Sequence, residues 1–333
     1  MIRLRGWANS WLFVTLAFSL WALGEGPLFA MSSAVPGTPL ERREIEDEFG
    51  REITYYINHP KGRAPLLVMI QGSGCDPVIV TSRGAATYST LFDLLPLAAE
   101  GRFTVVAVEK PFSGISAESA PGRAESCSPD FNNDFTAERW LAALQASIKD
   151  ARRSSWVTPE RTLVLGLSEG AVMAALLAGH DSQVTDVISI GGSGTTQLFD
   201  FVAGAYRQCF DVSVCLADID KQVGAISAHP SSSTLFAWGH PYKRWASFFR
   251  VDPSEELLKS KARVFLAFGT DDQATPPLSQ EIIAAKLTAA GREIVIHRIP
   301  NANHSLQLPS SVNLEGLESQ IRTALDWFWN SQR

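Results

Sequence analysis

The sequence has little basic charge and concentrates it nowhere. Its 333 residues include 29 Lys and Arg against 35 Asp and Glu, which gives a formal net charge of −6. Binding to a nucleic acid requires a patch or run of cations that neutralises phosphates. Because no stretch clusters Lys and Arg in that way, the sequence argues against a nucleic-acid partner.

Signals for a metal or a cofactor are also missing. The chain holds only 4 Cys and 6 His, and no spacing among them matches a metal-ligand pattern. The glycine run of residues 191–194 lacks the lysine that a phosphate-binding loop needs, so we interpret it as a turn. The sequence also contains no internal repeat and no low-complexity tract. We therefore expect neither a metal nor a cofactor.

The apolar run at the N-terminus is short for a membrane span. Residues 11–24 are mostly apolar and follow a short basic head, which is typical of a secretory signal peptide. We predict a signal peptide over residues 1–34, with cleavage after Ala34 or, as a second choice, after Ala30. The mature chain would then be secreted or periplasmic and have no stable membrane span. The alternative is an uncleaved membrane anchor.

What the sequence does contain is a serine in a distinctive turn. Residues 166–170 read Gly-Leu-Ser-Glu-Gly, between a strand-like apolar segment and an alanine-rich segment typical of a helix. In a strand-turn-helix setting, a G-x-S-x-G pentapeptide lets a strained turn expose the serine hydroxyl. Ser168 is therefore the candidate nucleophile. The alternative is a helix N-cap serine flanked by glycines.

A nucleophilic serine needs a base to accept its proton and a carboxylate to orient that base. Residues 262–269 predict a buried strand that runs directly into Asp271 and Asp272. Residues 293–299 predict another strand, and His304 lies in the loop after it. These loops supply candidates for the acid and the base.

In this order, the three motifs resemble those of the alpha/beta-hydrolase family. The family's acid loop, Gly-x-x-Asp-x-x-x-Pro, matches residues 269–276 and selects Asp272, with Asp271 as the rival. The family's histidine loop resembles residues 301–304 and selects His304. The resemblance implies that His304 deprotonates Ser168 while Asp272 orients His304. It also implies an α/β fold, with a mostly parallel central sheet and helices on both faces.

The resemblance further implies an oxyanion hole built from two backbone amides. One amide belongs to Glu169, whose side chain we expect only to decorate the first helical turn. The other lies in the loop after an early strand, where we favour Ser73 over Gly74. Gln71 replaces the histidine that the family usually has in this loop. The alternative interpretation of the loop is a tight turn.

In an oxidising compartment, four cysteines predict disulfides, and three pairings are arithmetically possible. Cys209 and Cys215 are close in sequence. In the family's strand order, the strands preceding Cys75 and Cys127 are neighbours, which implies a Cys75–Cys127 bridge that would hold the oxyanion loop. The alternative is four free, buried cysteines.

Residues 195–261 are far more than a normal loop, and the family often places a helical cap at this point. We therefore predict a cap insertion within a hydrolase domain of residues 35–333. Its many aromatic residues would form an apolar substrate pocket, or would simply pack the insertion onto the sheet. His229 and His240, each followed by proline in this segment, are further candidates for substrate contact.

Together these observations predict a serine hydrolase that cleaves a carboxylic ester through an acyl-enzyme. Its partner would be a small-molecule or acyl substrate. A peptidase, thioesterase, lipase or acyltransferase of the same fold fits the same residues. The alternative from another class is a catalytically silent hydrolase fold that serves as a binding protein. The sequence does not indicate an oligomeric state.

Overall fold

A computed structural model describes residues 31–82, 85–88, 90–94, 101–113, 127–310 and 315–330. The predicted signal peptide therefore lies outside the described residues, apart from its last four. Those four form strand β1, which pairs antiparallel with β2. The strands are β1 Met31–Ala34, β2 Leu40–Glu46, β3 Glu52–Asn58, β4 Ala64–Ile70, β5 Ile79–Ser82, β6 Ala85–Tyr88, β7 Thr104–Val108, β8 Val157–Leu167, β9 Asp186–Ile190, β10 Phe236–Ala237, β11 His240–Pro241, β12 Arg263–Gly269 and β13 Ile294–Ile299.

Helices occupy most of the remaining described chain, including a short 3-10 helix at Thr90–Leu94. The α-helices are α1 Pro129–Asp134, α2 Ala137–Ala151, α3 Glu169–His180, α4 Gln197–Gln208, α5 Val212–Ala228, α6 Tyr242–Phe248, α7 Pro253–Lys259, α8 Pro277–Ala289 and α9 Glu315–Asn330. None of the described helices is both long enough and apolar enough to span a bilayer.

Nine of the described strands form one sheet in the order β1-β2-β3-β7-β4-β8-β9-β12-β13. The first three strands are antiparallel and β3 meets β7 antiparallel, whereas all pairs from β7 to β13 are parallel. Every residue of β4, β7 and β9 is buried, as expected for parallel strands that are covered on both faces. The predicted mostly parallel sheet is confirmed.

Alternate residues of β4 face two separate layers of core. Leu66, Val68 and Ile70 belong to a cluster that includes Trp140 of α2. Leu67 and Met69 belong to a second cluster, which includes Ile321 and Phe328 of α9. Because side chains alternate along a strand, the continuous apolar run of β4 serves both faces. The predicted helices on both faces of the sheet are therefore present.

The segment 195–261 forms helices α4 to α7 and the small β10-β11 hairpin. Its aromatic side chains pack against one another: the ring centroids of Phe201 and Trp238 lie 4.2 Å apart, and those of Trp245 and Phe249 lie 5.3 Å apart. These rings therefore form a small core within the insertion.

Candidate active site

Ser168 lies between the last residue of β8 and the first residue of α3. Its backbone has φ 58° and ψ −120°, a region that costs free energy for any residue except glycine and that occurs at functional sites. Its amide donates to the Ile190 carbonyl over 2.8 Å. The side chain makes no capping hydrogen bond, so the alternative of an ordinary N-cap serine has no support here.

The two glycines of the pentapeptide are required by close backbone contacts. A Cβ on Gly166 would lie 2.1 Å from the Gly170 carbonyl oxygen, and a Cβ on Gly170 would lie 2.1 Å from the Ile70 carbonyl oxygen. Both distances are far below a normal contact. Strand β8, helix α3 and the end of β4 therefore meet at a place where only hydrogen fits.

Asp272 and His304 are brought together from loops 32 residues apart in sequence. Asp272 Oδ2 lies 2.8 Å from His304 Nδ1. The other carboxylate oxygen, Oδ1, accepts the amides of Ala274 and Thr275 at 2.8 and 2.9 Å. Only 1% of the Asp272 side chain is exposed. The carboxylate is thus fixed by its own turn, and Nε2 of His304 remains for another partner.

The glycine turn after β9 lies between His304 and Ser168. A Cβ on Gly191 would lie 3.4 Å from the His304 ring, and a Cβ on Gly192 would lie 3.1 Å from the Ser168 carbonyl oxygen. The turn predicted at this run therefore lies next to both His304 and Ser168.

Asp271, the rival acid, points elsewhere. Its side chain is 65% exposed and pairs with Arg207 of α4 over 3.1 Å. It also accepts the Gln273 side-chain amide over 2.7 Å. The turn amides of Ala274 and Thr275 are bound by Asp272, not by Asp271. Arg207 also donates to the Asp272 carbonyl oxygen, so helix α4 is tied to the acid loop.

The loop after β4 approaches the serine closely. A Cβ on Gly72 would lie 4.0 Å from Ser168 Oγ, and Ser73 and Ser168 line the same cavity. Gln71 is buried, and its side-chain amide has no hydrogen-bond partner in the described structure.

The Glu169 side chain does not merely decorate the first helical turn, and that expectation was wrong. It is 2% exposed and forms salt bridges with Lys110 Nζ at 2.9 Å and with Arg244 Nη2 at 2.5 Å. Burial by itself raises the pKa of this carboxyl, but the two cations outweigh burial and lower the pKa to about 2. Glu169 is therefore ionised and held beneath the turn that carries Ser168.

Lys110 and Arg244 were missed by the sequence analysis. Both are fully enclosed, with 0% and 2% of their side chains exposed. Burial lowers the pKa of Lys110, while Glu169 acts in the opposite direction. The ammonium nevertheless has three acceptors for its three protons, namely Glu169 Oε1 and the carbonyls of Gly72 and Gly74. The only sequence signal was a lysine placed two residues after the buried strand β7.

A cavity of about 580 Å³ opens beside Ser168. Aromatic side chains of the insertion line it, as expected for one of the two alternatives, and polar groups line it as well. Apart from Ser168, the lining includes Ser73, Ser193, Gln197, Asp200, Phe201, Asp218, Ile219, Trp238, His240, Arg244 and Trp245. Three of the aromatic side chains of the insertion thus pack together and also face the cavity.

Besides Glu169 and Arg244, two further titratable groups in the cavity wall have displaced pKa values. Burial, followed by the charge of Arg244, lowers the pKa of His240 to about 3, so its imidazole is neutral at physiological pH. Burial raises the pKa of Asp200 to about 6, against the effect of a hydrogen bond from Ser193. His240 thus lies where a substrate contact was considered, whereas His229 is exposed and outside the lining.

Both expected disulfides are present, Cys75–Cys127 and Cys209–Cys215. The first holds the loop that carries Ser73. The second closes the turn between α4 and α5, and both of its cysteines line the cavity.

Comparisons with known proteins agree with this architecture. A family model described as the alpha/beta hydrolase family matches residues 67–312. The solved acylaminoacyl peptidase of Pyrococcus horikoshii is 15% identical with a TM-score of 0.59, and the match covers 87% of this chain and 41% of the peptidase. An acetyl xylan esterase from Paenibacillus sp. R4 is 15% identical with a TM-score of 0.58, and the match covers 90% and 89% of the two chains.

A puromycin-hydrolyzing peptidase of Mycobacterium tuberculosis is 13% identical with a TM-score of 0.57, and the match covers 92% of this chain. This chain spans about two fifths of the length of each of the two peptidases. At these identities the similarity concerns the fold. A search of curated protein sequences found no match.

Proposed function

This chain belongs to the alpha/beta hydrolase family, and on that premise we propose that it is a serine hydrolase that cleaves carboxylic esters. The observation that carries the proposal is a strained serine lining a cavity, together with a buried Asp272 that lies 2.8 Å from the partly exposed His304. Nucleophile, base and orienting acid are the three groups that acyl transfer through a serine requires.

In the proposed reaction, Ser168 Oγ attacks the ester carbonyl carbon while its proton passes to His304 Nε2. The tetrahedral oxyanion accepts hydrogen bonds from the amides of Ser73 and Glu169. The bond to the alkoxy group then breaks, and His304 returns the proton to the departing alcohol. Water then attacks the acyl-enzyme carbonyl carbon while His304 accepts its proton. The bond to Ser168 Oγ breaks, His304 returns the proton to Ser168, and the carboxylic acid is released.

The mixed lining of the cavity supports a substrate that combines an apolar part with polar groups. Phe201, Trp238 and Trp245 offer ring surface, while Ser193 and Gln197 offer polar atoms. Esters and acylated peptides both meet this description, so a peptidase activity should be assayed in parallel.

The test is labelling of the purified protein with a fluorophosphonate, which reacts with activated serines. We expect a single adduct, located at Ser168 by mass spectrometry and absent from Ser168→Ala. Ser193→Ala is a matched control, since it removes another serine of the cavity lining and should still be labelled. Hydrolysis of nitrophenyl esters should fall by several orders of magnitude in Ser168→Ala alone.

A folded wild-type protein that takes no label, or that is labelled at another serine, would overturn this proposal. Hydrolysis of acyl-peptide anilides but not of any ester would instead assign the same site to a peptidase.

We also propose that the protein acts outside the cytoplasm. Two disulfides fit an oxidising compartment. Cleavage after Ala34 would remove strand β1, whereas cleavage after Ala30 would keep it. Cell fractionation and N-terminal sequencing of the mature protein test the compartment and the cleavage site.

A further inference from the structure

We propose that Lys110 is a positioning residue that sets the direction of the Ser73 amide, one of the two oxyanion donors. The inference rests on the proposed function, because it assigns a task to a residue that does not itself touch the substrate. Its basis is the set of bonds that Lys110 makes to the loop on either side of Ser73.

Lys110 Nζ donates to the Gly72 carbonyl over 2.6 Å and to the Gly74 carbonyl over 3.0 Å. Its third proton goes to Glu169 Oε1 over 2.9 Å. Acceptors therefore surround the ammonium, and two of the three flank Ser73 in the chain. The Phe135 ring, 4.7 Å from Nζ, covers another side of the group.

The geometry of the peptide bond explains how the hydrogen bonds from Lys110 control the direction of the Ser73 amide. In a planar trans peptide, the C=O of one residue and the N–H of the next point in opposite directions. The peptide that joins Gly72 to Ser73 therefore directs its N–H away from Lys110 whenever its carbonyl is bound to Lys110. The neighbouring Gly72 already lies against Ser168, and Ser73 lines the cavity. Because the Gly72 carbonyl is held by Lys110, the Ser73 N–H points away from Lys110 and is available to the oxyanion.

The rest of the loop is restrained at its far end. Cys75 is bonded to Cys127, and Glu109, the residue before Lys110, accepts the Val78 amide over 2.8 Å. Neither restraint fixes the peptides at Gly72 and Gly74. Among the described contacts, Lys110 supplies the side-chain hydrogen bonds to their carbonyls.

Glu169 links the two donors. Its own amide is the first N–H of α3, and its carboxylate anchors the lysine that orients the second donor. Arg244 bonds the other carboxylate oxygen at 2.5 Å, which keeps Glu169 from turning away. Pre-positioned donors matter because a hydrogen bond aimed at the developing oxyanion needs no reorganisation during the reaction.

The test compares Lys110→Met with wild type, using a nitrophenyl ester as substrate and phenylboronic acid as a tetrahedral mimic. Loss of one oxyanion donor costs roughly 100- to 1000-fold in kcat, so a misdirected donor should lower kcat by about 10- to 100-fold. KM should change by less than about threefold, since ground-state binding does not use the donor. Binding of the boronic acid should weaken by a factor similar to the fall in kcat.

Arg51→Met is the matched control for the loss of a buried cation. Arg51 is enclosed between Asp47 and Asp134 in another part of the molecule and does not line the cavity. The Arg51→Met variant should unfold at a lower urea concentration than wild type but have nearly the same kcat.

Lys110→Met leaves the Glu169 carboxylate paired with Arg244, so no buried charge loses its last counter-ion and the variant should fold. Urea unfolding of the same variant measures any loss of stability separately from kcat. An unchanged kcat in folded Lys110→Met, or a fall in kcat without weaker binding of the boronic acid, would overturn the inference. An unlabelled Ser168 in the wild type would overturn the proposed function itself, which is a different result.

Discussion

Replacing Gly170 by alanine should damage both stability and activity, even though alanine is the better helix former. Gly170 is the second residue of α3, and a Cβ there would lie 2.1 Å from the Ile70 carbonyl oxygen and 2.6 Å from that of Gln71. Both obstacles are backbone atoms, which have no rotamer to change.

The expected loss of stability and activity in Gly170→Ala can be worked out from the 2.1 Å distance between the added Cβ and the Ile70 carbonyl oxygen. Real Cβ contacts are essentially never below 3.0 Å, so the helix start and the end of β4 must separate by about 0.9 Å. Overpacking of this kind typically costs about 1 to 3 kcal/mol of unfolding free energy. The gain in helix propensity offsets at most about 1 kcal/mol. A displacement of this size beside a nucleophile can lower the rate by about 100-fold.

The assay is urea unfolding together with ester hydrolysis, with Gly224→Ala as the matched control. Gly224 lies in the middle of α5, and a Cβ there would meet nothing within 4 Å. This control should gain up to about 1 kcal/mol and keep its activity. If Gly170→Ala proved as stable and as active as wild type, the close approach of α3 to β4 would be refuted.

Three further outcomes follow from the same site. Asp272→Asn should lower kcat about 10⁴-fold, whereas Asp271→Asn should stay within about a factor of two; ester kinetics tests both. Because burial raises the pKa of Asp200 to about 6 from 3.8, the stability it contributes is full below pH 3.8 and is lost as the pH rises through 6. Asp200→Asn should therefore raise the unfolding free energy by up to about 3 kcal/mol at pH 8 but little at pH 4, which urea titrations at the two pH values would show. Replacing Cys75 and Cys127 by alanine should cost about 3 to 4 kcal/mol in the same titration, because the bridge closes a loop with a separation of 52 residues.

Local motifs could be interpreted from the sequence because their conformation depends on near neighbours. The strained turn at Ser168 needs a small residue on either side, and the structure shows that both glycines are in close contact with backbone atoms. The choice of Asp272 over Asp271 depended on register within one loop. In the structure, the Asp272 carboxylate is bound by the amides of its own turn beside His304, whereas the Asp271 side chain is largely exposed to solvent.

The ion cluster could not be predicted in this way. Lys110 and Glu169 are 59 residues apart, and Arg244 is 75 residues from Glu169. A charged residue is normally exposed, and the position of Lys110 just after β7 is the only local sign of burial among the three. Only the completed fold, with β7 beside β4 and Arg244 of α6 bonded to the first residue of α3, places two cations on one carboxylate. The same dependence on tertiary packing explains why the Glu169 side chain was assigned too simple a role.

The composition of that cluster bears on the proposed chemistry. Two cations share one carboxylate, and His240 beside them is neutral because its pKa is lowered to about 3. Asp76, which is partly exposed, also raises the pKa of Lys110 through its charge, but no hydrogen bond joins the two residues in the described part of the chain. The hydrogen-bonded group therefore carries an excess of one positive charge, enclosed next to the amides of Ser73 and Glu169. Coulomb attraction is strong where water is excluded, and in the proposed reaction the tetrahedral intermediate gains a negative charge at those amides. An excess of positive charge at this place stabilises the intermediate more than the neutral ester, which is the difference in binding that lowers a reaction barrier.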